Sequence, residues 1–374
     1  APGQPAEYFR RNMVHSIGAG ARHIDNFWVG PQSNFTENYV AWRYEDTFRA
    51  IFESIYDTAA IEPLLREAEP RPARVAIITG KATAMNEDGV KADRQADRFL
   101  RMSHVAGNPV QSTCRKDQQA LYIALRHSHH LVDLITEDDI VQGDVLDRYH
   151  AVYFAGEWVN NRIVPELEKW VREGGILYAS TGLGHRNQFD QKEKALLDLL
   201  GVEAGGPQKD LYRPRPLLEL PLAEPIGDIV LNGSEIEAIA FKQRLKPTAD
   251  GVRTIGRWTD GGAAATVRVL GKGRAFAVGT APGLTYLRTG LREVPFARGG
   301  YRNLYNPVEF GAGARQLVRL GVASAGIPRQ AVCSREHVEP LLLDNEKGSL
   351  LTLVNWTNQG RIEDFWVRVR LPYR

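Results

Sequence analysis

The stretch Gly174-Gly-Ile-Leu-Tyr-Ala-Ser-Thr-Gly-Leu-Gly-His-Arg186 decides the fold class of this chain. Its two leading glycines are typical of a helix end, and the apolar run after them predicts a buried strand that ends in a glycine-rich turn. In an open α/β sheet, such a turn at the carboxyl end of a strand is where ligands bind and nucleophiles lie. The turn contains no cysteine, and its Ser180 and Thr181 have no evident partner base. We therefore interpret it as the loop of a catalytic fold reused for another purpose.

Strands and helices alternate around this stretch. The hydrophobic pattern predicts strands at 74–79, 130–135, 151–155 and 176–179, and helices at 118–130, 162–172 and 191–200. Alternation at this spacing is typical of βαβ units. The sequence therefore predicts an α/β fold with a doubly wound parallel sheet.

Two other regions are rich in strand patterns. From 205 to about 280 the helical periodicity disappears, and five short alternating runs predict a β-rich insertion, with a hairpin turn at Gly271-Lys-Gly273 between the last two. A helix is predicted at 310–320. Beyond it, runs at 338–343, 350–355 and 365–371 predict a small antiparallel β domain.

The beginning of the chain has no partner for its own strand. The pattern predicts a helix at 7–17, a strand at 21–29 and a long helix at 40–67. One strand buries nothing without neighbours, so its partners lie later in the chain or are missing from it. The Pro-rich segment 69–73 is typical of a linker.

Composition excludes several classes of protein. With 374 residues the chain is long enough for two or three domains, and 43% hydrophobic and 25% charged residues are ordinary for a globular protein. The 47 basic and 45 acidic residues give a net charge of +2, which argues against nucleic acid or a membrane surface as partner. No apolar run approaches the length of a transmembrane helix. For Cys114 and Cys333, two unpaired thiols are favoured over a single bridge.

Two polar clusters need an interpretation. His127 and His129 could belong to a metal site, but their spacing does not place them on one helix face. We favour a helix C-terminus, where the helix dipole suits histidine. Glu157 and Trp158 follow the third predicted strand and could line a cleft. We favour the interpretation of Glu157 as a solvent-facing charge.

The loop after the fourth strand resembles the nucleophile elbow of class I glutamine amidotransferases. In that family a strand leads into a Gly-Ile-Cys-Leu-Gly-His-Gln-type turn, and this chain has Ser180-Thr-Gly-Leu-Gly-His-Arg186. Aligned on Leu-Gly-His, the cysteine position is occupied by Gly182, which has no side chain to attack a carbonyl. A structural turn is therefore the default interpretation, with a ligand-binding loop as the alternative.

Taken in order, these pieces resemble the C-terminal part of glycoside hydrolase family 42 and similar β-galactosidase-like enzymes. Residues 8–21 look like a late barrel helix and its turn, residues 24–28 (Ile-Asp-Asn-Phe-Trp) like the eighth barrel strand, and residues 40–65 like the closing helix. The resemblance implies a (β/α)8-barrel remnant at 1–72, a flavodoxin- or amidotransferase-like trimerisation domain at 73–326 with its β-rich insertion at about 205–280, and a C-terminal β-sandwich-like domain at 327–374.

The resemblance also implies a function. The chain would be the C-terminal portion of a multidomain glycoside hydrolase, a homotrimer that binds carbohydrate through its complete barrel. Both catalytic carboxylates of such barrels follow earlier strands, so they would precede Ala1, and this chain alone would be inactive. Only Trp28 matches a substrate-facing position. No metal and no cofactor are expected, and the bacterial cytoplasm or periplasm is the expected location. The alternative is a stand-alone assembly or ligand-binding module with an inactive amidotransferase-like fold.

Overall fold

A mixed sheet of eleven strands lies at the centre of the structure, a computed structural model that describes residues 6–24, 29–30, 40–41, 45–89, 113–209, 224–288, 310–357 and 361–371. The helices are α1 (Ala6–Gly18), α2 (Glu45–Leu65), α3 (Lys81–Gly89), α4 (Thr113–His127), α5 (Glu137–Gln142), α6 (Val164–Glu173), α7 (Ala195–Leu200), α8 (Pro282–Leu287) and α9 (Ala312–Ala325). None of these helices is both long and apolar enough to cross a membrane.

The strands are numbered in chain order. The first eleven are β1 (Val29–Gly30), β2 (Val40–Ala41), β3 (Glu69–Pro70), β4 (Val75–Thr79), β5 (Val132–Thr136), β6 (Ala151–Ala155), β7 (Trp158–Val159), β8 (Ile176–Ser180), β9 (Arg186–Asn187), β10 (Val202–Ala204) and β11 (Gln208–Lys209). The others are β12 (Gly227–Leu231), β13 (Ser234–Ala238), β14 (Phe241–Lys242), β15 (Leu245–Pro247), β16 (Val252–Trp258), β17 (Ala263–Leu270), β18 (Gly273–Val278), β19 (Ala331–Cys333), β20 (Val338–Asn345), β21 (Gly348–Asn355) and β22 (Val367–Val369).

Parallel strands form one half of the central sheet, in the order β5-β4-β6-β8-β18. Every residue of β6 and β8 is buried, as expected for parallel strands that are covered on both faces. Alternate side chains of these strands belong to two separate apolar clusters. One cluster includes residues of α4, α8 and α9, and the other includes residues of α5, α6 and α7, so helices cover both faces.

The predicted β-rich insertion continues the same sheet. Strands β17, β16, β12 and β13 follow β18 with antiparallel pairing, and β15 and β10 branch from β17. The turn between β17 and β18 lies at the predicted hairpin, where Gly271 has a φ of 61°. Strand β18 then pairs in parallel with β8. Strand β18 therefore returns the chain from the β-rich segment to the parallel sheet.

The structure corrects the predicted elements at the N-terminal end. The helix predicted from Val40 begins at Glu45, because Val40 and Ala41 pair with β1 as a short parallel strand. Residues 21–24 form no strand, and residues 25–28, including the substrate-facing candidate Trp28, lie outside the described residues.

The segment 69–73, predicted to be a linker, is tied to the C-terminal β region. Glu69 and Pro70 pair with β20, and the Arg71 guanidinium forms a two-pronged ion pair with Asp344. Strands β20 and β21 form the predicted antiparallel pair, and α1 packs against both. The N-terminal and C-terminal ends of the chain therefore share one packed interface.

Buried histidines lie where α1, the end of α4 and the start of β20 meet. The His127 Nδ1 atom lies 3.0 Å from the Tyr286 hydroxyl, and its ring centroid lies 5.6 Å from that of His337. Burial lowers the pKa of His127 well below its usual value and that of His129 to about 4, so both are neutral near pH 7. The predicted helix C-terminus is confirmed, because α4 ends at His127. Burial keeps these histidines neutral, however, so they are not charges that the helix dipole favours.

A buried carboxylate holds the same region together. Glu339 on β20 is 1% exposed, and its two oxygens lie 2.5 Å from Arg126 Nε and 2.7 Å from Trp356 Nε1. His15 of α1 lies 3.6 Å from the same carboxylate. Three distant parts of the chain thus converge on one charge. In the described ranges, no group of three or more His, Cys, Asp or Glu residues could hold a metal ion.

Acid should destabilise the wild type more than a His129→Asn variant. The folded state keeps His129 neutral down to about pH 4, whereas the unfolded chain takes up the proton near pH 6.5. Stability therefore falls as the pH falls through this window, and the variant should lose about 2 kcal/mol less between pH 7 and pH 5. Asparagine is suitable because residue 129 has a φ of 62°.

Urea unfolding at the two pH values measures this difference. His23→Asn is the control, because it makes the same substitution at a histidine that is exposed after α1. An equal loss of stability in the wild type and in His129→Asn would contradict the prediction.

Candidate functional site at the carboxyl edge of the sheet

The loop after β8 makes a sharp turn with left-handed backbone. Four successive residues have positive φ: Thr181 at 56°, Gly182 at 102°, Leu183 at 57° and Gly184 at 58°. The Thr181 N–H donates to the carbonyl of Thr280, and the Gly184 N–H donates to the carbonyl of Gly156. The side chains of Thr181 and Leu183 are fully buried. The loop is therefore packed between the ends of β18 and β6.

Gly182, which the sequence resemblance aligns with a nucleophile position, lies directly against Glu157. A Cβ atom at residue 182 would lie 2.4 Å from Glu157 Cγ and 3.0 Å from Glu157 Cα. Real Cβ atoms essentially never come as close as the first distance, so any side chain here needs a shift of β6 or of the loop. The space that a nucleophile would occupy is filled by Glu157.

Glu157 is buried, so its interpretation as a solvent-facing charge is wrong. It is 4% exposed, and the Lys209 ammonium donates to its Oε1 at 2.5 Å. His185 Nε2 lies 3.7 Å from its Oε2. The other ring nitrogen of His185 lies 2.9 Å from the carbonyl of Gly182. A carboxylate, an ammonium and an imidazole thus meet at the turn, because residues distant in sequence fold onto it.

Asp117 is a site residue that the sequence patterns did not reveal. It lies on α4 and is fully buried; it accepts hydrogen bonds from the Thr181 hydroxyl at 2.5 Å and from the Leu284 N–H at 2.8 Å. Burial raises the pKa of Asp117 to about 7. The sequence does contain a sign that Asp117 is buried, because residue 117 shares the apolar face of its helix with Leu121 and Ala124. A carboxylate on such a face needs a partner, and the partner is Thr181.

Two more buried carboxylates at this edge accept hydrogen bonds from helix N-termini. Glu137 accepts from the Ala82 N–H of α3 at 3.0 Å and from the Asn160 N–H at 2.7 Å. Glu87 accepts from the Cys114 N–H of α4 at 2.7 Å. Burial raises the pKa of both glutamates despite these bonds. Their oxygens accept hydrogen bonds from backbone N–H groups and thereby connect separate segments of the chain.

The thiol near this edge is inert. Cys114 is fully buried, and burial together with the charges of Glu87 and Glu157 raises its pKa well above the usual value. A fully buried, neutral thiol is a poor nucleophile. Cys333 is also buried, and the prediction of two unpaired thiols is confirmed. The described part of the edge therefore brings together buried polar groups that hydrogen-bond to one another and to the backbone.

Comparisons with known proteins identify the fold. A scan against protein-family models and a search of curated proteins give no match. Among solved structures, the chain is similar to a cold-adapted β-galactosidase from Rahnella sp. R3, with a TM-score of 0.67, 16% identity and coverage of 98% of this chain and 50% of that one. A GH42 β-galactosidase from G. stearothermophilus has a TM-score of 0.65, 14% identity and coverage of 95% and 45%.

A β-galactosidase from Bacillus circulans sp. alkalophilus is similar in the same way, with a TM-score of 0.61, 16% identity and coverage of 94% of this chain and 46% of that one. This chain therefore spans about half the length of these structures. At such low identity the similarity concerns the fold alone. The chain has a mixed α/β fold like that of GH42 β-galactosidases.

A Gly182→Ala variant should be much less stable than a Gly261→Ala variant. The two glycines have nearly the same φ, 102° and 100°, so alanine is strained to a similar extent at both. Only residue 182 is crowded, because nothing lies within 4 Å of a Cβ at residue 261. The difference isolates the collision with Glu157 and should be about 1–3 kcal/mol in the free energy of unfolding.

Chemical denaturation of both variants measures that difference. Equal losses of stability would show that the loop has room for a side chain. The vacant position would then be open rather than filled.

An Asp117→Asn variant should lose stability relative to the wild type as the pH falls from 7 to 5. As the pH falls, the Asp117 carboxylate of the folded wild type takes up a proton near pH 7. In the unfolded chain the same carboxylate takes up its proton only near pH 4. Protonation therefore stabilises the folded wild type as the pH falls, by about 2 kcal/mol over this range. Protonation of Asp117 thus stabilises the folded state as the pH falls, whereas protonation of His129 destabilises it.

Unfolding curves at several pH values test this expectation, with the exposed Asp250→Asn as control. A constant difference in stability between wild type and Asp117→Asn across the range would contradict it.

Proposed function

We propose that this chain is the C-terminal portion of a multidomain, β-galactosidase-like glycoside hydrolase. In this proposal it completes the catalytic barrel and mediates assembly into a homotrimer, while the catalytic carboxylates lie in the rest of the protein. The observation that supports it most is the asymmetry of coverage. Nearly all of this chain, 94–98%, is similar to β-galactosidase structures, yet only 45–50% of each of those chains is matched.

The domain division follows the same proposal. Residues 1–72 would be the last helix–strand–helix unit of a (β/α)8 barrel, residues 73–326 a doubly wound, amidotransferase-like trimerisation domain, and residues 327–374 the C-terminal β domain. Parallel strands with helices on both faces support the second assignment.

The chemistry of glycoside hydrolysis supports the location of the catalytic groups elsewhere. The reaction uses two carboxyl groups, about 5–5.5 Å apart for retention of configuration and further apart for inversion. The buried carboxylates at the carboxyl edge are engaged by backbone amides, a hydroxyl or an ammonium group. Under the proposal, Trp28 at the end of the eighth barrel strand is the residue of this chain that faces the sugar.

The alternative is a stand-alone assembly or ligand-binding module with an inactive amidotransferase-like fold. The collision between a residue-182 side chain and Glu157 favours inactivity of that elbow in either case. The DNA upstream of the codon for Ala1 separates the two hypotheses. An in-frame barrel with two glutamate-bearing strand ends supports the hydrolase, whereas a start codon and promoter support the module.

The purified chain should not hydrolyse aryl β-D-galactosides, but it should sediment as a trimer. Co-expression with the region encoded immediately upstream should produce activity that neither part has alone, because the barrel closes only when both are present. Release of nitrophenol and sedimentation equilibrium measure the two properties. Turnover by the isolated chain, or a strict monomer in the active co-expressed complex, would overturn the proposal.

A further inference from the structure

Glu157 carries a charge that the fold must compensate. Its side chain is 6% exposed, and a buried carboxylate without a partner is costly. The His185 imidazole lies 3.7 Å away, beyond hydrogen-bond distance. The Lys209 ammonium, at 2.5 Å from Oε1, is therefore the group that compensates this charge.

The Lys209 ammonium also faces an aromatic ring. Its Nζ lies 5.7 Å from the ring centroid of Phe241, and Phe241 is 1% exposed. A carboxylate and a ring face within reach of one nitrogen are the two groups that attract an ammonium ion. Both are held rigidly, Glu157 by its contact with the Gly182 backbone and Phe241 by burial. The receptor is therefore preformed by the core.

The arm that carries Lys209 has few backbone contacts in the part of the chain that the structure describes. Strand β11 contains two residues that pair with the two residues of β14, and the Gln243 side chain donates to the Gly205 carbonyl at 2.6 Å. Gly205 and Gly206 precede it, are exposed, and have nothing within 4 Å of a Cβ position. The Lys209 side chain itself is one-third exposed. Short ladders with exposed hydrogen bonds open at low cost in free energy, so the lysine can leave while its receptor stays intact.

We propose that the pocket formed by Glu157 and Phe241 is a binding site for a primary ammonium group, occupied in this structure by Lys209 as an internal ligand. A small primary amine takes the same place when the lysine is withdrawn. The ligand class follows from the charge of Glu157, the ring of Phe241 and the single ammonium group held between them. The proposal does not depend on the glycosidase assignment.

Chemical rescue tests the proposal directly. Lys209→Ala keeps Cβ and removes three methylenes and the amine, which is the volume of n-propylammonium. The variant should melt below the wild type, and n-propylammonium chloride should raise its melting temperature saturably, by about 2–4 °C. n-Propanol has the same shape without the charge and should give at most a small effect at matched ionic strength.

Two variants serve as controls. Lys246→Ala removes an exposed lysine that is paired with Glu203 at 3.1 Å, and it should show no rescue because no buried carboxylate is left unpaired. Lys209→Ala combined with Glu157→Gln should be more stable than Lys209→Ala alone and should no longer respond to the amine. Together these controls show whether the rescue of Lys209→Ala depends on the buried charge of Glu157.

Several outcomes would overturn the proposal. One is an equal response to n-propylammonium and n-propanol, and another is rescue that persists in the Glu157→Gln background. The proposal would also be overturned if n-propylammonium raised the melting temperature of the wild type as much as that of Lys209→Ala. If Lys209→Ala does not fold alone, n-propylammonium present during refolding should recover folded protein, and failure to do so contradicts the proposal.

Discussion

The parallel pairing of β8 on both sides is the constraint on which the rest of the structure depends. Five residues of β8 pair in register with β6 on one side and with β18 on the other. Because both faces are covered by helices, all five side chains must be buried. The pairing with β18 also determines where the long β-rich excursion returns, and it brings the ends of three strands together at one edge.

That edge explains how a catalytic-looking loop becomes structural. The left-handed turn after β8 brings the Gly182 backbone against Glu157, and this contact leaves no space for a nucleophile. The carboxylates around it are engaged by N–H groups, by Thr181 or by Lys209. Polar groups that could have served a reaction instead connect helices to strands. A buried carboxylate whose hydrogen bonds are all made within the protein stabilises the fold.

Local patterns predicted the strands whose own sequence carries a continuous apolar run. Strand β6 has the predicted bounds, 151–155, because a short continuous apolar run that ends at a glycine is typical of a fully buried parallel strand. Two-residue strands such as β3 have no periodicity to detect, so the segment 69–73 was interpreted as a linker. The burial of Glu157 depends on Gly182 and Lys209, which lie 25 and 52 positions away. Because contacts between residues so far apart leave no trace in a local sequence pattern, Glu157 was wrongly interpreted as exposed.

The same long-range contacts limit how independent the predicted units can be. Glu339 binds Arg126 of α4 and Trp356, and it lies beside His15 of α1, so residues from all three predicted units share one buried charge. Removing the unit that holds Arg126 would leave that carboxylate without its ion-pair partner in a low-dielectric interior, at a cost larger than most single contacts. These contacts link the position of α1 to the helix α4 that packs on the central sheet. If α1 belongs to a catalytic barrel, the geometry of that barrel and the packing of the sheet are therefore energetically coupled.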